Sequence, residues 1–312
     1  MYKEKNSSGN TEEILKKINI LRKEKNAVIL AHSYQPLDIQ HVADYIGDSL
    51  GLCIQAGQTE AEVIVFCGVH FMAESAKILN QKKTVLLPVK EAGCPMADMA
   101  SGGALRELKA EHPGAMVVCY VNSTAEVKAE SDICCTSSNA VEIIRSIPRD
   151  REIIFVPDRH LGEFAAAQAE RDVVLWDGYC PVHQRITGDD IQRVKEKHPD
   201  AIVMVHPECS REVREMADYV GSTTNIYNKA ASSAEQTFII GTEEGIVRRM
   251  REELPNKLFL LPDTPVICAD MKKISLEDVA ESLSKNEPEI RLEPQIAARA
   301  LDPVKRMLEK RG

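Results

Sequence analysis

The chain has 312 residues, 44% of them apolar and 28% charged, and a formal net charge of −9, which is ordinary for a folded globular protein. No block of Lys and Arg could track a phosphate backbone, and no apolar run approaches the roughly 20 residues that cross a bilayer, so neither nucleic acid nor membrane is an expected partner. Nine cysteines without one C-x-x-C pair argue against zinc ribbons and thioredoxin-like motifs, and the polar segment 1–10, with no apolar stretch behind its charges, predicts a cytoplasmic chain with reduced thiols.

In chain order, Glu12–Lys25 places Ile14, Leu15, Ile18 and Leu21 on one stripe and predicts a helix. β-branched runs at Ala27–Ala31, Val63–Phe66 and Thr84–Leu87 follow, separated by helical stretches. That alternation is the pattern of an α/β fold with parallel sheets.

The same series then recurs twice. When His32, Tyr120 and His206 are superposed, Asp44, Asp132 and Asp218 all fall 12 residues later, and Asp48, Thr136 and Ser222 fall 16 residues later, without a gap. Second strands follow in VIVFC, EIIFV and FIIG, then third ones in TVLLP, DVVLW and KLFLL, and each third strand leads to a cysteine. The expected architecture is three small parallel-sheet, flavodoxin-like α/β units at 11–103, 104–189 and 190–274, related by a pseudo-threefold axis through a central active site. A helical tail at 275–312 completes it.

Cys94, Cys180 and Cys268 are 86 and 88 residues apart, each just past the last strand of its unit, where open α/β sheets bind ligands. Packed about a threefold axis, these thiols would converge on one [4Fe-4S] cluster and leave its fourth iron open as a Lewis acid. A three-cysteine zinc site and plain buried thiols are the other readings of the same positions. Cys53, Cys67 and Cys119 read as core packing.

Residues i and i+2 of a strand share a face, so His32 with Tyr34, Tyr120 with Asn122, and His206 with Glu208 should face the same axis. Hydroxyl-rich turns at 47–49, 136–138 and 221–223 offer Ser49, Ser137, Ser222 and Thr223, which as helix starts bind carboxylates or phosphates, or simply cap. Glu208, opposite Tyr34, is the expected proton shuttle, a desolvated carboxylate tuned towards neutral pH.

With these residues in place, the chain resembles the quinolinate synthase family from about Asn26 to Lys273, in LAHSYQ, GDSL, FMAE, CPMA, YVNSTAE, TSSNAV, CPVHQ, HPEC, GST and CADMKK. The resemblance implies a transferase that condenses iminoaspartate with dihydroxyacetone phosphate to quinolinate in NAD biosynthesis. It also implies the triangular fold, a cluster on Cys94, Cys180 and Cys268, and an L-aspartate oxidase or aspartate dehydrogenase supplying iminoaspartate. Site roles carry over to His32, Tyr34, Ser49, Tyr120, Asn122, Ser137, His206, Glu208, Ser222 and Thr223, with Tyr34 and Glu208 handling protons. Ser33 and His160 stand where the family usually has Asn, and the absence of a C-terminal extra-cysteine motif predicts no disulfide switch. Another [4Fe-4S] hydro-lyase acting on a small hydroxy acid, and a non-catalytic dicarboxylate binder, are the competing functions.

Overall fold

The computed structural model describes residues 8–310, with side chains from residue 11. Of the expected polar segment 1–10, residues 1–7 lie outside the described residues, and Ser8 opens a helix that runs to Glu24. Three four-stranded parallel sheets follow. The first holds β1 (Ala27–His32), β2 (Tyr45–Gly47), β3 (Val63–Cys67) and β4 (Thr84–Leu86). The second holds β5 (Met116–Tyr120), β6 (Ile133–Cys135), β7 (Ile153–Val156) and β8 (Val174–Leu175). The third holds β9 (Ile202–Val205), β10 (Tyr219–Val220), β11 (Thr237–Gly241) and β12 (Leu258–Leu260).

Strand order is the same in each sheet: β2-β1-β3-β4, β6-β5-β7-β8 and β10-β9-β11-β12. Helices cover both faces, so the inner strands are nearly unbroken Val, Ile, Leu and Phe, the mark of a doubly covered parallel sheet. The sequence pattern shows three strands per unit rather than four. The missing ones, β2, β6 and β10, are edge strands of two or three residues, too short to carry a period.

These edge strands explain the repeated aspartate. Asp44 Oδ2 accepts the Ile29 N–H, Asp132 Oδ2 the Val117 N–H and Asp218 Oδ2 the Val203 N–H, each at 2.8 Å. In return the three Asp N–H groups donate to the carbonyls of Ile29, Val117 and Val203 at 2.8, 3.1 and 2.9 Å. Each aspartate thus replaces the ladder that a short edge strand cannot supply.

The units interlock at their cysteine loops. Trp176 Nε1 donates to the Met99 carbonyl at 2.9 Å, joining the second unit to the first. The Gly93 N–H donates to Asp270 Oδ1 at 3.3 Å, joining the first to the third, and His183 Nε2 meets Thr242 Oγ1 at 2.8 Å, joining the second to the third. The tail contributes helices Leu276–Lys285 and Pro294–Glu309. Between them, the Leu87 N–H donates to Pro288 O, and Ile290 N–H to Val85 O, so the tail covers the open edge of β4. Asn139 Nδ2 binds the carbonyls of Met307 and Lys310, holding the last helix to the second unit. Among the described residues no helix is long and apolar enough to cross a membrane.

Candidate active site

The carboxyl ends of β1, β5 and β9 surround a cavity of about 210 Å³. Each chain turns sharply there: the Gln35 N–H returns to His32 O at 2.9 Å, Ser123 Oγ donates to Tyr120 O at 2.9 Å, and the Cys209 N–H returns to His206 O at 3.0 Å. These turns hold His32, Tyr34, Tyr120, Asn122, His206 and Glu208 against the cavity. The third unit presses close behind Tyr34, since a Cβ at Gly245 would lie 2.7 Å from Tyr34 Cα. Only glycine fits there.

Both axial imidazoles are buried and lowered in pKa, His32 to about 4 and His206 to about 3, because burial disfavours the imidazolium. They are neutral at pH 7. His32 Nδ1 accepts the Tyr34 N–H at 3.2 Å and His206 Nδ1 the Glu208 N–H at 3.3 Å, which leaves the ring proton on Nε2. His206 Nε2 then donates to Ser137 Oγ at 3.2 Å.

A hydrogen-bonded chain crosses the cavity wall. Tyr34 Oη lies 2.7 Å from Thr242 Oγ1, which is 2.8 Å from His183 Nε2, and His183 Nδ1 is 2.7 Å from Glu208 Oε2. Tyr120 Oη donates to Glu208 Oε1 at 2.6 Å. The route Tyr34–Thr242–His183–Glu208–Tyr120 draws on all three units.

The expectation that Glu208 is tuned towards neutral pH is corrected in its direction. Its aromatic partner is Tyr120, while Tyr34 binds Thr223 at 2.9 Å and Thr242. Burial alone would raise the Glu208 carboxyl, but His206 and His183 beside it, with hydrogen bonds from His183 and Tyr120, outweigh burial and hold it well below the usual carboxylate range. Burial and the Glu208 charge raise both tyrosines well above the usual phenol value.

Of the hydroxyl turns, Ser49, Ser137 and Thr223 line the cavity. Ser222 does not. It caps the helix Thr223–Ser232 by accepting the Asn225 N–H at 3.3 Å, and its hydroxyl donates to Asp48 Oδ2 at 3.3 Å. Asp48 Oδ2 takes Ser138 Oγ as well, at 3.3 Å, while its Oδ1 caps the first unit's helix through the Gly51 N–H. One carboxylate thereby ties the three turns together. Asn122 Oδ1 is buried without a protein partner, so it is an acceptor open to a bound molecule.

Cys94, Cys180 and Cys268 line the same cavity, one from each unit. Burial raises Cys94 to about 12, Cys268 to about 11 and Cys180 well above the ordinary thiol value, and the charges of Cys94 and Cys268, and of Cys180 and Cys94, act on one another. Three half-buried thiols around one cavity, with pKa values raised, are poor thiolates alone and good ligands for a cation, which removes the proton and compensates the charge. The donor set therefore fits a metal group bound by three sulfurs.

Cys180, His183 and Glu208 also place ligand atoms within 4.8 Å of one another. Two donors on one tetrahedral zinc, each ~2.1 Å from it, stand roughly 3.4 Å apart. The 2.7 Å between His183 and Glu208 is instead the spacing of a shared proton. Neither Ser33 nor His160 lines the cavity: the Ser33 N–H donates to Gly47 O at 3.0 Å, and His160 Nε2 meets Gln184 Oε1 at 2.6 Å.

Sequence reasoning does not single out His183 or Thr242. His183 stands three residues after Cys180, but Ala97 and Met271 occupy that place after Cys94 and Cys268, so the repeat conceals it. Thr242 precedes Glu243 in GTEEG with no motif of its own.

A family model described as "Quinolinate synthetase A protein" matches residues 16–309. The chain is 51% identical over 295 residues to the quinolinate synthase of Geobacter metallireducens, covering 95% of this chain and 97% of that one. It is 52% identical over 298 residues to that of Desulforudis audaxviator, covering 96% and 98%. Quinolinate synthase 2 of Methanosarcina acetivorans is 48% identical over 299 residues, covering 96% of each chain.

Proposed function

The chain belongs to the quinolinate synthase family, and from that premise we propose that it condenses iminoaspartate with dihydroxyacetone phosphate, releasing phosphate and water, to make quinolinate for NAD synthesis. One observation carries the reading: Cys94, Cys180 and Cys268, from three separate sheets, line a single cavity with Tyr34, Tyr120, Asn122 and Glu208. In this reading residues 11–103, 104–189 and 190–274 are three arms, each delivering one sulfur to a [4Fe-4S] cluster, and 275–312 is a tail that braces them. When bound, the cluster supplies an open iron as a Lewis acid for a substrate oxygen.

The protein side chains do the remaining work. The hydroxyls of Ser49, Ser137 and Thr223 with the neutral rings of His32 and His206 bind carboxylate and phosphate oxygens without adding net charge. Asn122 Oδ1 accepts a substrate N–H or O–H. Glu208 takes a proton from the substrate carbon, directly or through Tyr120, and the chain through His183 and Thr242 delivers one at Tyr34 Oη to the departing hydroxide. Closure of the ring in a cavity walled by Phe71, Val69 and Met96 keeps bulk water from the imine.

Free iminoaspartate hydrolyses in water, which calls for an L-aspartate oxidase or aspartate dehydrogenase to supply it. All nine thiols are free, and we place the reaction in the reducing cytoplasm on that ground. Anaerobic reconstitution tests the reading. About four iron and four sulfide per chain are expected, with Cys94→Ala, Cys180→Ala and Cys268→Ala each abolishing retention and Cys53→Ala or Cys67→Ala preserving it. The loaded protein should generate pyridine dicarboxylate absorbance from the two substrates. A protein that loads the cluster yet forms none, while dehydrating a small hydroxy acid, would belong to the hydro-lyase alternative.

A further inference from the structure

The three cysteine loops start alike. The N–H that follows each helix cap, of His70, Arg159 and Glu244, donates to the carbonyl two residues before the cysteine, that of Ala92, Gly178 and Val266, at 2.8, 2.9 and 2.8 Å. The caps themselves occupy one repeat position, two residues beyond the paired residues Cys67, Val156 and Gly241 of β3, β7 and β11. They are Val69, Asp158 and Glu243.

Here the units part. Asp158 Oδ1 caps its helix through the Leu161 N–H at 2.7 Å, while Oδ2 accepts the Cys180 N–H at 3.1 Å. Glu243 Oε2 caps its own through the Gly245 N–H at 2.7 Å, while Oε1 accepts the Cys268 N–H at 3.1 Å and an ion pair from Lys272 at 2.8 Å. Both carboxylates are fully buried. Val69 has no such oxygen, and among the described residues the Cys94 N–H has no carboxylate acceptor, since Asp270 takes the preceding Gly93 N–H at 3.3 Å.

We propose that Asp158 and Glu243 are positioning residues for the metal group, clamping the Cys180 and Cys268 arms by their backbone amides and leaving Cys94 as the pliant arm. The inference rests on the reading of the three cysteines as cluster ligands. A clamp of this kind has two consequences. It fixes the sulfur by fixing the backbone that carries it, as outer partners orient metal ligands generally. It also commits the Cys180 and Cys268 N–H groups to oxygen acceptors, which withholds those amides from N–H···S bonds and so holds the reduction potential low, because such bonds raise it. A low potential suits a cluster that serves as a Lewis acid and should not accept electrons.

The test uses the anaerobically reconstituted full chain and the variants Asp158→Asn and Glu243→Gln, each of which replaces one acceptor oxygen with an amide donor. Ser101→Ala, which removes the helix cap at the Ala104 N–H, is a control for lost capping alone. Iron release to a chelator should be about tenfold faster in the two clamp variants than in wild type, and the midpoint potential should move to more positive values. The capping control should lower the thermal midpoint without moving either. Should a carboxylate variant fail to fold, the other carries the test, since the two clamps are independent. Equal release rates and equal potentials in loaded wild type and variants would overturn the proposal while leaving the cluster standing. A wild type that takes up no iron and sulfide would overturn the cluster reading first.

Discussion

Two rings of repeat-equivalent residues run around this molecule, and they behave oppositely. The outer ring is Asp44, Asp132 and Asp218: one residue type, three times, each accepting the same strand N–H at 2.8 Å. The axial ring comprises His32, Tyr120 and His206 with Tyr34, Asn122 and Glu208, where equivalent positions carry different side chains. The outer ring solves one local problem, pairing a very short edge strand, and the solution is the same wherever the problem recurs. On the proposed function the axial ring faces a substrate that has no threefold symmetry, so its arms must differ. Cysteine is the instructive exception at the axis, identical in all three arms, and on the proposed cluster reading the three sulfurs would meet three equivalent irons of one cubane.

If that division is right, the largest effect should come from the most divergent axial position. Glu208→Gln removes the carboxylate that receives Tyr120 and His183. It should lower kcat by about 10²–10⁴, the usual worth of a general acid–base group, with cluster content and thermal midpoint close to wild type. Product absorbance and iron analysis on one preparation check this. A variant that kept its rate would move the proton chemistry away from Glu208 and leave the axial ring a binding surface only.

Acid sensitivity should likewise belong to the axial ring. In the unfolded chain both imidazoles titrate near 6.5, whereas folded His32 titrates at about 4 and His206 at about 3. As pH falls below 6.5 the unfolded chain binds protons that the folded chain refuses, so stability is complete above 6.5 and declines towards pH 4. The loss reaches roughly 3 kcal/mol per imidazole at the lower end. Urea denaturation of the metal-free protein at pH 7, 5.5 and 4.5 measures it, and His32→Asn should flatten the slope. An unchanged slope would mean that His32 is solvated in the metal-free state.

How far the sequence discloses all this depends on which ring a residue belongs to. The gapless repeat shows the three units, the Cys94, Cys180 and Cys268 positions and the axial pairs, because periodic residues repeat when their structural task repeats. It misses β2, β6 and β10, whose pairing depends on side-chain oxygens rather than on a run of β-branched residues. It misses His183 and Thr242 for the opposite reason: each stands at its place in one unit only, so no second copy marks it. Ser222 is misread because capping a helix and lining a cavity call for the same residue at the same turn, and only the placement of Thr223 beside it separates the two tasks.

The smallest expected effect tests the outer ring. Asp132→Ala deletes the acceptor of the Val117 N–H and leaves a buried donor unpaired, which costs about 1–3 kcal/mol. Asp218→Ala should cost a similar amount through Val203. Asp44 differs, since it also pairs with Arg22 at 2.7 Å, an ion pair about a quarter to a third exposed on each side, so Asp44→Ala should exceed the other two by no more than about 1 kcal/mol. Chemical denaturation gives the three stabilities, and kcat per loaded cluster should stay at the wild-type value in all of them. Should one of the three lose rate per cluster while keeping its stability, the outer ring would be reaching the chemistry, and identity across the repeat would no longer mark a purely structural residue.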